Sequence, residues 1–260
     1  MGIVNVTPDS FSDGGEFLSP QRAIEHGLAL AAAGADMLDL GGESTRPGAR
    51  PVDAKEEIDR VLPVIAGIAA RTDVPLSIDT TKLEVARAAL VAGATIVNDV
   101  SALRFSPGIA ELAAETGAGL VLMHMKGEPR TMQLDPRYDD LISEVGGHLR
   151  EAARRAEAAG VDRESIVVDP GIGFGKTARD SWRLLAGLSD LAPGYPVLVG
   201  HSRKSFLDPD GNRRPSDRLP QTLAAGLLAA LNGAAILRVH DVEAHVRLLE
   251  AYRGYEGAKG

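Results

Sequence analysis

Acidic, amide and basic side chains recur in this chain at the places where short apolar runs stop. Gly2-Ile3-Val4 runs into Asn5, Met37-Leu38 into Asp39, Leu76-Ser77-Ile78 into Asp79, Thr95-Ile96-Val97 into Asn98, and Leu120-Val121-Leu122-Met123 into His124. Ile166-Val167-Val168 meets Asp169, Val197-Leu198-Val199 meets Gly200-His201-Ser202-Arg203-Lys204, and Ile236-Leu237 meets Arg238-Val239-His240. Arg238 and His240 lie two apart in a strand pattern, so their side chains leave on the same side and can converge on one anion. One polar residue closing one strand reads as a solvated turn; the same placement eight times reads as a shared mouth. An eight-stranded α/β barrel gathers its site in this way, from the C-terminal ends of its strands.

The segments that must position these residues are amphipathic, with helical spacing. Ser19-Pro20 opens one as N-cap and first helical residue, Ile24, Leu28 and Ala31 line its face, and Gly34 closes it. Asp53 with Glu56 resembles a capping box for a second helix facing inward through Ile58, Leu62 and Ile65. Leu83, Ala86 and Leu90 mark a third, while Leu141, Val145, Leu149, Ala152 and Ala156, stopped at Gly160, give the clearest pattern. Val242, Val246 and Leu249 mark the last. Strand and helix alternate throughout, which favours a parallel sheet with helical crossovers. A doubly wound open sheet competes, but it collects ligand groups at one switch point, whereas candidates here follow the first, third, fourth, sixth, seventh and eighth strands. The expected fold is α/β, a single (β/α)8 TIM barrel domain over residues 1–260.

Composition agrees with that size and narrows the function. The 260 residues suit one barrel of about 250 residues, and 44% apolar residues supply a core. A formal charge of −8 and a pI near 5.3 argue against nucleic acid or anionic membrane as partners, while leaving room for a local anion site. Without cysteine there are no disulfides, thiolate zinc sites or cysteine nucleophiles. The start lacks a signal peptide's basic flank and long apolar stretch. The longest apolar helix, near 223–231, falls short of the roughly 20 residues of a membrane span. A cytoplasmic protein acting on small molecules is expected. Longer loops at 7–18, 41–52, 126–138 and 205–220 all follow strands, on the face where function belongs.

Two look-alike motifs fail on one residue each. Pro170-Gly171-Ile172-Gly173-Phe174-Gly175-Lys176-Thr177 nearly spells a phosphate-binding Walker A loop, but Pro170 stands where its leading glycine belongs. Gly200-His201-Ser202-Arg203-Lys204 resembles a nucleophile elbow with Lys204 in place of the final glycine. Residues 2–15, reading Gly-Ile-Val-Asn-Val-Thr-Pro-Asp-Ser-Phe-Ser-Asp-Gly-Gly, instead strongly resemble the signature of the dihydropteroate synthase family. Gly41-Gly42-Glu43-Ser44-Thr45-Arg46-Pro47-Gly48 resembles its second signature. Ser77-Ile78-Asp79-Thr80, Asn98-Asp99-Val100, Met123-His124-Met125, the 129–133 and 169–176 runs, Ser202-Arg203-Lys204-Ser205 and Arg238-Val239-His240-Asp241 follow in the family's order.

The resemblance implies an enzyme that joins 6-hydroxymethyl-7,8-dihydropterin diphosphate to p-aminobenzoate in folate biosynthesis, commonly as a homodimer. It implies that Asp79, Asn98, Asp169 and Lys204 bind the pterin and that Arg238 and His240 bind the diphosphate. Mg²⁺ would be held partly by Asn5, with Thr45 nearby. Phe174, Pro47 and Ser205 resemble the family's p-aminobenzoate contacts, and Arg46 shares the loop of Pro47. The Gly-rich loops at 11–15 and 41–48 are implied to close over the diphosphate, bringing in Phe11 and Asp13. The residue types suit this independently: a pterin edge presents donors beside acceptors, which carboxylates, an amide and a cation match. His124 stays open between packing and ligand contact, and His26, His148 and His245 read as solvent-facing. Two departures stand out: the first strand begins almost at Met1, so that either the chain has been trimmed or the barrel floor is less well closed, and Leu207-Asp208-Pro209-Asp210-Gly211 replaces the family's Ile-Gly beyond Phe206. A methyltransferase domain that uses methyltetrahydrofolate and a corrinoid partner and a non-catalytic pterin binder are the other readings; the first would not need Thr45-Arg46-Pro47, the Lys204-Ser205 pair or the Arg238/His240 anion site.

Overall fold

The computed structural model describes residues 1–7, 20–44, 50–128 and 131–258. Eight strands run in chain order around one sheet: β1 (Gly2–Asn5), β2 (Leu38–Gly41), β3 (Leu76–Asp79), β4 (Ile96–Asp99), β5 (Gly119–Met123), β6 (Ile166–Asp169), β7 (Val197–Val199) and β8 (Ala234–Leu237). Every neighbouring pair is parallel. The ring closes just past β8, where Val239 bridges Gly2 through Ile3 N to Val239 O at 3.0 Å and Val239 N to Met1 O at 2.9 Å. Between strands lie α1 (Pro20–Ala32), α2 (Ala54–Ala69), α3 (Leu83–Val91), α4 (Gly108–Thr116), α5 (Leu141–Ala158), α6 (Ala178–Ala186) with the short α7 (Leu188–Leu191), and α8 (Leu219–Leu231). After the last strand comes α9 (Val242–Gly257).

The two-residue period of a strand explains how this ring sorts its side chains. Outward positions such as Val4, Leu38, Leu40, Ile78, Val97, Leu120, Leu122, Val168 and Leu237 join the core shared with the helices. Inward positions near the floor are apolar: Met1, Val121 and Leu198 pack with Met37, Ile96, Val167 and Ile236. Two residues on from the last four lie Asp39, Asn98, Asp169 and Arg238. The same parity that fills the floor with hydrocarbon therefore raises polar groups at the mouth. Met1 lies within that floor, 8% exposed.

Several helices turn a different face inward from the one their large side chains imply. In α1 the buried residues are Ala23, Ile24, Gly27 and Leu30, while Leu28 and Ala31 are only partly covered. The reason is glycine: a Cβ on Gly27 would sit 2.5 Å from Ile68 Cδ1, and one on Gly67 2.3 Å from Ile24 Cδ1, so α1 and α2 meet through residues that carry no apolar signal. In α2 the buried set includes Glu57, Val61, Val64, Ile65 and Ile68 rather than Ile58 and Leu62. Asp53 does cap it, accepting from Glu56 N at 2.7 Å, but Glu56 turns to Arg60 and the capping box is half formed. In α3, Val85, Ala86 and Ala89 are buried. The α5 face is as its spacing predicts. Ser19 lies outside the described residues.

Candidate active site

Arg238, two residues past Ile236 on the inward face, is held between acids from two distant strands. Its Nε donates to Asp39 Oδ2 at 2.5 Å and its Nη2 to Asp79 Oδ2 at 2.8 Å. Asn98 Nδ2 donates to the same Asp39 oxygen at 3.1 Å, while Asp39 Oδ1 is buried with no hydrogen-bond partner. Burial works against the Arg238 charge, but Asp39 and Asp79 outweigh it and raise its pKa. Burial pushes Asp79 up to about 7, with Arg238 pulling the other way.

Lys204 and Asp169 approach from the next two strands. An atom placed at the Cβ position of Gly200 would lie 3.9 Å from Asp169 Oδ2, 3.9 Å from Lys204 Nζ and 4.0 Å from Arg238 Cδ. The three side chains thus converge over a residue that leaves the space empty. Burial brings the Lys204 ammonium down to about 8 against the pull of Asp169, and burial raises Asp169 despite Lys204 and the Gly171 N–H that Asp169 Oδ1 accepts at 2.7 Å. Lys204 Nζ donates to Ile172 O at 2.6 Å and sits 4.6 Å from the centre of the Phe174 ring. That ring packs in turn on Val100, Met123, Met125 and Met132. The arrangement is a polar slot flanked by an aromatic face under a cation. His240 joins through Ser202, whose Oγ accepts from His240 N at 3.2 Å and lies 3.0 Å from Nδ1. A hydroxyl that accepts from the backbone can donate to Nδ1, which favours the tautomer with the ring proton on Nε2.

Comparison with known proteins fits this geometry. Residues 1–240 match the family described as pterin binding enzyme. The dihydropteroate synthase of Escherichia coli K12 is 47% identical over 260 residues, spanning 100% of this chain and 92% of that one. The chain belongs to the dihydropteroate synthase family. The Mycobacterium leprae synthase is 48% identical over 258 residues, covering 96% of this chain and 90% of its own. Among solved structures, a Xanthomonas albilineans dihydropteroate synthase with 4-aminobenzoic acid superposes with a TM-score of 0.92 at 49% identity, over 98% of this chain and 92% of that one. The same enzyme in complex with 7,8-dihydropteroate gives 0.88 at 47%, over 98% and 92%.

Against the dihydropteroate synthase signatures, the fold brings Asp79, Asn98, Asp169, Lys204, Arg238 and His240 to the strand ends on one side of the ring. Asn5 ends β1 in register with Gly41, which is in register with Asp79. Phe174 faces Lys204, and Ser205 is exposed at the start of a 3-10 turn spanning Ser205–Leu207. Phe11, Asp13, Thr45, Arg46 and Pro47 lie outside the described residues. Two of the histidine readings are corrected. His245 is 3% exposed, its ring edge-on to the fully buried His201 at 5.6 Å, because Gly226 leaves them room. His148 is half-buried with its ring 5.0 Å from that of His124. His26 is exposed as expected, and His124 takes the packing role. The sequence reading did not place Asp39 in the site, although it touches both Arg238 and Asn98; its position two residues after inward-facing Met37 was the available signal. Ser202 was missed as well. The departing loop after Phe206 is organised by Asp208, 2% exposed, which accepts from Arg213 N at 2.8 Å and Arg213 Nη1 at 2.9 Å.

Proposed function

We propose that the protein condenses 6-hydroxymethyl-7,8-dihydropterin diphosphate with p-aminobenzoate to give 7,8-dihydropteroate and pyrophosphate, by substitution with dissociative, SN1-like character. The observation that carries this is the convergence of Asp169, Lys204 and the Asp-paired Arg238 over Gly200: a slot for a flat heterocycle with cations at its rim. Asp79, Asn98 and Asp169 meet the pterin edge, and Lys204 its ring acceptors. Arg238 and His240 hold the diphosphate as the methylene–oxygen bond breaks and its electron pair leaves with the phosphate. The electron-rich dihydropterin spreads the positive charge left on the methylene. The neutral arylamine nitrogen then forms the new C–N bond and gives its proton to solvent or leaving group, so positioning and electrostatics dominate and no strong base is needed. Phe174, Ser205 and Pro47 receive p-aminobenzoate, with Phe11, Asp13 and Arg46 contributed by the two loops, while Thr45 joins the residues that take the pterin diphosphate. Relatives of the same fold that carry 4-aminobenzoic acid or 7,8-dihydropteroate support this choice of substrates.

Among the described residues no three His, Asp or Glu gather where they could hold a metal ion. Asn5 ends β1 next to β2, which carries Asp39, and its side chain can supply one amide oxygen, a donor that fits Mg²⁺ arriving with the substrate, since that ion keeps waters and phosphate oxygens and needs few protein ligands. When bound it would neutralise charge on the departing diphosphate. No helix among the described residues is long and apolar enough to cross a membrane. We place the enzyme in the cytoplasm, as one catalytic domain that pairs with a second copy. Purified protein incubated with Mg²⁺ and both substrates should release pyrophosphate and dihydropteroate in equal amounts. Binding of the pterin diphosphate with neither product would overturn the reading in favour of a non-catalytic binder.

A further inference from the structure

Four successive carbonyls in the loop after β6 are each taken by a side chain. Ile172 O accepts from Lys204 Nζ at 2.6 Å, Gly173 O from Gln133 Nε2, Phe174 O from Lys176 Nζ at 2.9 Å, and Gly175 O from the Tyr138 hydroxyl at 2.8 Å. Gly171, Gly173 and Gly175 alternate with Ile172 and Phe174 and sit at φ of +66°, +80° and +64°, which turns successive carbonyls toward different neighbours. The loop also lies directly on the chain leaving β5: a Cβ on Gly171 would fall 2.0 Å from His124 O and one on Gly175 2.5 Å from Lys126 O.

Lys176 is the buried member of this set, 3% exposed. Besides Phe174 O, its Nζ lies 2.9 Å from His124 Nδ1 and 3.3 Å from His124 O, so three acceptors surround an amine whose pKa burial lowers from 10.5 to about 7. Burial, reinforced by the Lys176 charge, pushes the His124 imidazole down to about 2, so it stays neutral and accepts through Nδ1. A buried amine with every N–H satisfied links two strand ends far more firmly than an exposed contact does. We infer that Lys176 is a positioning residue for the half-site assigned to p-aminobenzoate: its Nζ fastens the Phe174 backbone to the end of β5 and so fixes the Phe174 ring against Lys204. It lies behind the ring and needs no contact with substrate. The inference rests on the function proposed above.

Lys176→Met keeps the stem and removes the N–H bonds. Its expected result is a KM for p-aminobenzoate raised about tenfold with the KM for the pterin diphosphate unchanged, and a crystal structure in which Phe174 has left Lys204. Tyr138→Phe, which removes one hydroxyl from the same loop at a half-buried position, should move the p-aminobenzoate KM in the same direction by a smaller factor, and serves if Lys176→Met does not fold. Equal changes in both KM values, or no change, in an active enzyme would overturn the assignment. Absence of turnover by the wild-type protein would instead sink the functional reading, and the position of Phe174 in the variant crystal would still decide for or against Lys176.

Discussion

A guanidinium already paired with two carboxylates is an unusual anion receptor, and the arrangement becomes intelligible from what each residue costs when buried. Burial pushes the Asp79 carboxyl up while Arg238 pulls it down, so desolvation offsets part of what the pair gains, and the guanidinium, which stays charged, can take an incoming diphosphate as a further partner. Arg238→Ala should remove a charge-assisted hydrogen bond of about 1.5–3 kcal/mol, or roughly one to two decades in kcat/KM; an unchanged kcat/KM for the pterin diphosphate would refute its role. Lys204 gives a prediction in pH. Its ammonium, lowered from 10.5 to about 8, is charged below that value and neutral above it. The kcat/KM for the pterin diphosphate should therefore fall as pH rises through about 8. Lys204→Arg, whose charge does not titrate in this range, should move that limb upward even if its plateau is lower; a wild-type profile flat from pH 7 to 9 would exclude Lys204 from pterin binding.

At the scale of elements, strand ends were legible because a barrel strand announces itself twice, in an apolar run and in the polar residue that stops it. Where the rule went astray, the physical cause is visible. Asp39 follows Met37-Leu38 but lies inside β2, which continues to Gly41, so counting the first polar residue as a strand end hides that it points into the ring. The helix faces were misjudged where glycine makes the contact, as at Gly27 and Gly67, and where a polar residue turns inward to a partner, as Glu57 does toward Lys82 at 2.5 Å. No local pattern carries that information, since the partner lies on another element. The loop after β6 shows the opposite case, in which glycine spacing was visible and its purpose was not. Gly171→Ala should cost about 1 kcal/mol for the left-handed backbone and a further ~1–3 kcal/mol for overpacking, because the atom 2.0 Å away is a backbone oxygen that cannot rotate aside. Gly211→Ala, at φ +67° with nothing within 4 Å, should cost only the first part. Urea denaturation of the two variants separates strain from collision; equal losses would show that the β6 loop yields.

For the whole molecule, the described helices differ in how their apolar residues are distributed around the axis. The α5 helix shows a buried apolar face and a polar outer one, whereas α8, reading Leu-Pro-Gln-Thr-Leu-Ala-Ala-Gly-Leu-Leu-Ala-Ala-Leu, is apolar nearly all round. Its inner side meets the barrel through Thr222, Ala225, Gly226 and Ala229, yet Leu228 and Leu231 remain 44% and 46% exposed. A helix apolar on every side is stable when both sides are covered, and an isologous contact with a second copy would cover the outer one. Following β7, α8 runs back from the mouth toward the floor, so these two leucines lie at its far end from Lys204 and the reacting groups. Leu228→Glu combined with Leu231→Glu puts four like charges into a two-fold interface, which desolvation makes costly. The expected outcome in sedimentation velocity is a wild-type dimer near twice the 27.3 kDa chain mass and a monomeric double variant. Its kcat should stay within a few fold of wild type, because the site is built within one barrel. A wild-type protein that sediments as a monomer at tens of micromolar, or a double variant that still dimerises, would remove α8 as the interface and leave its apolar face to another explanation.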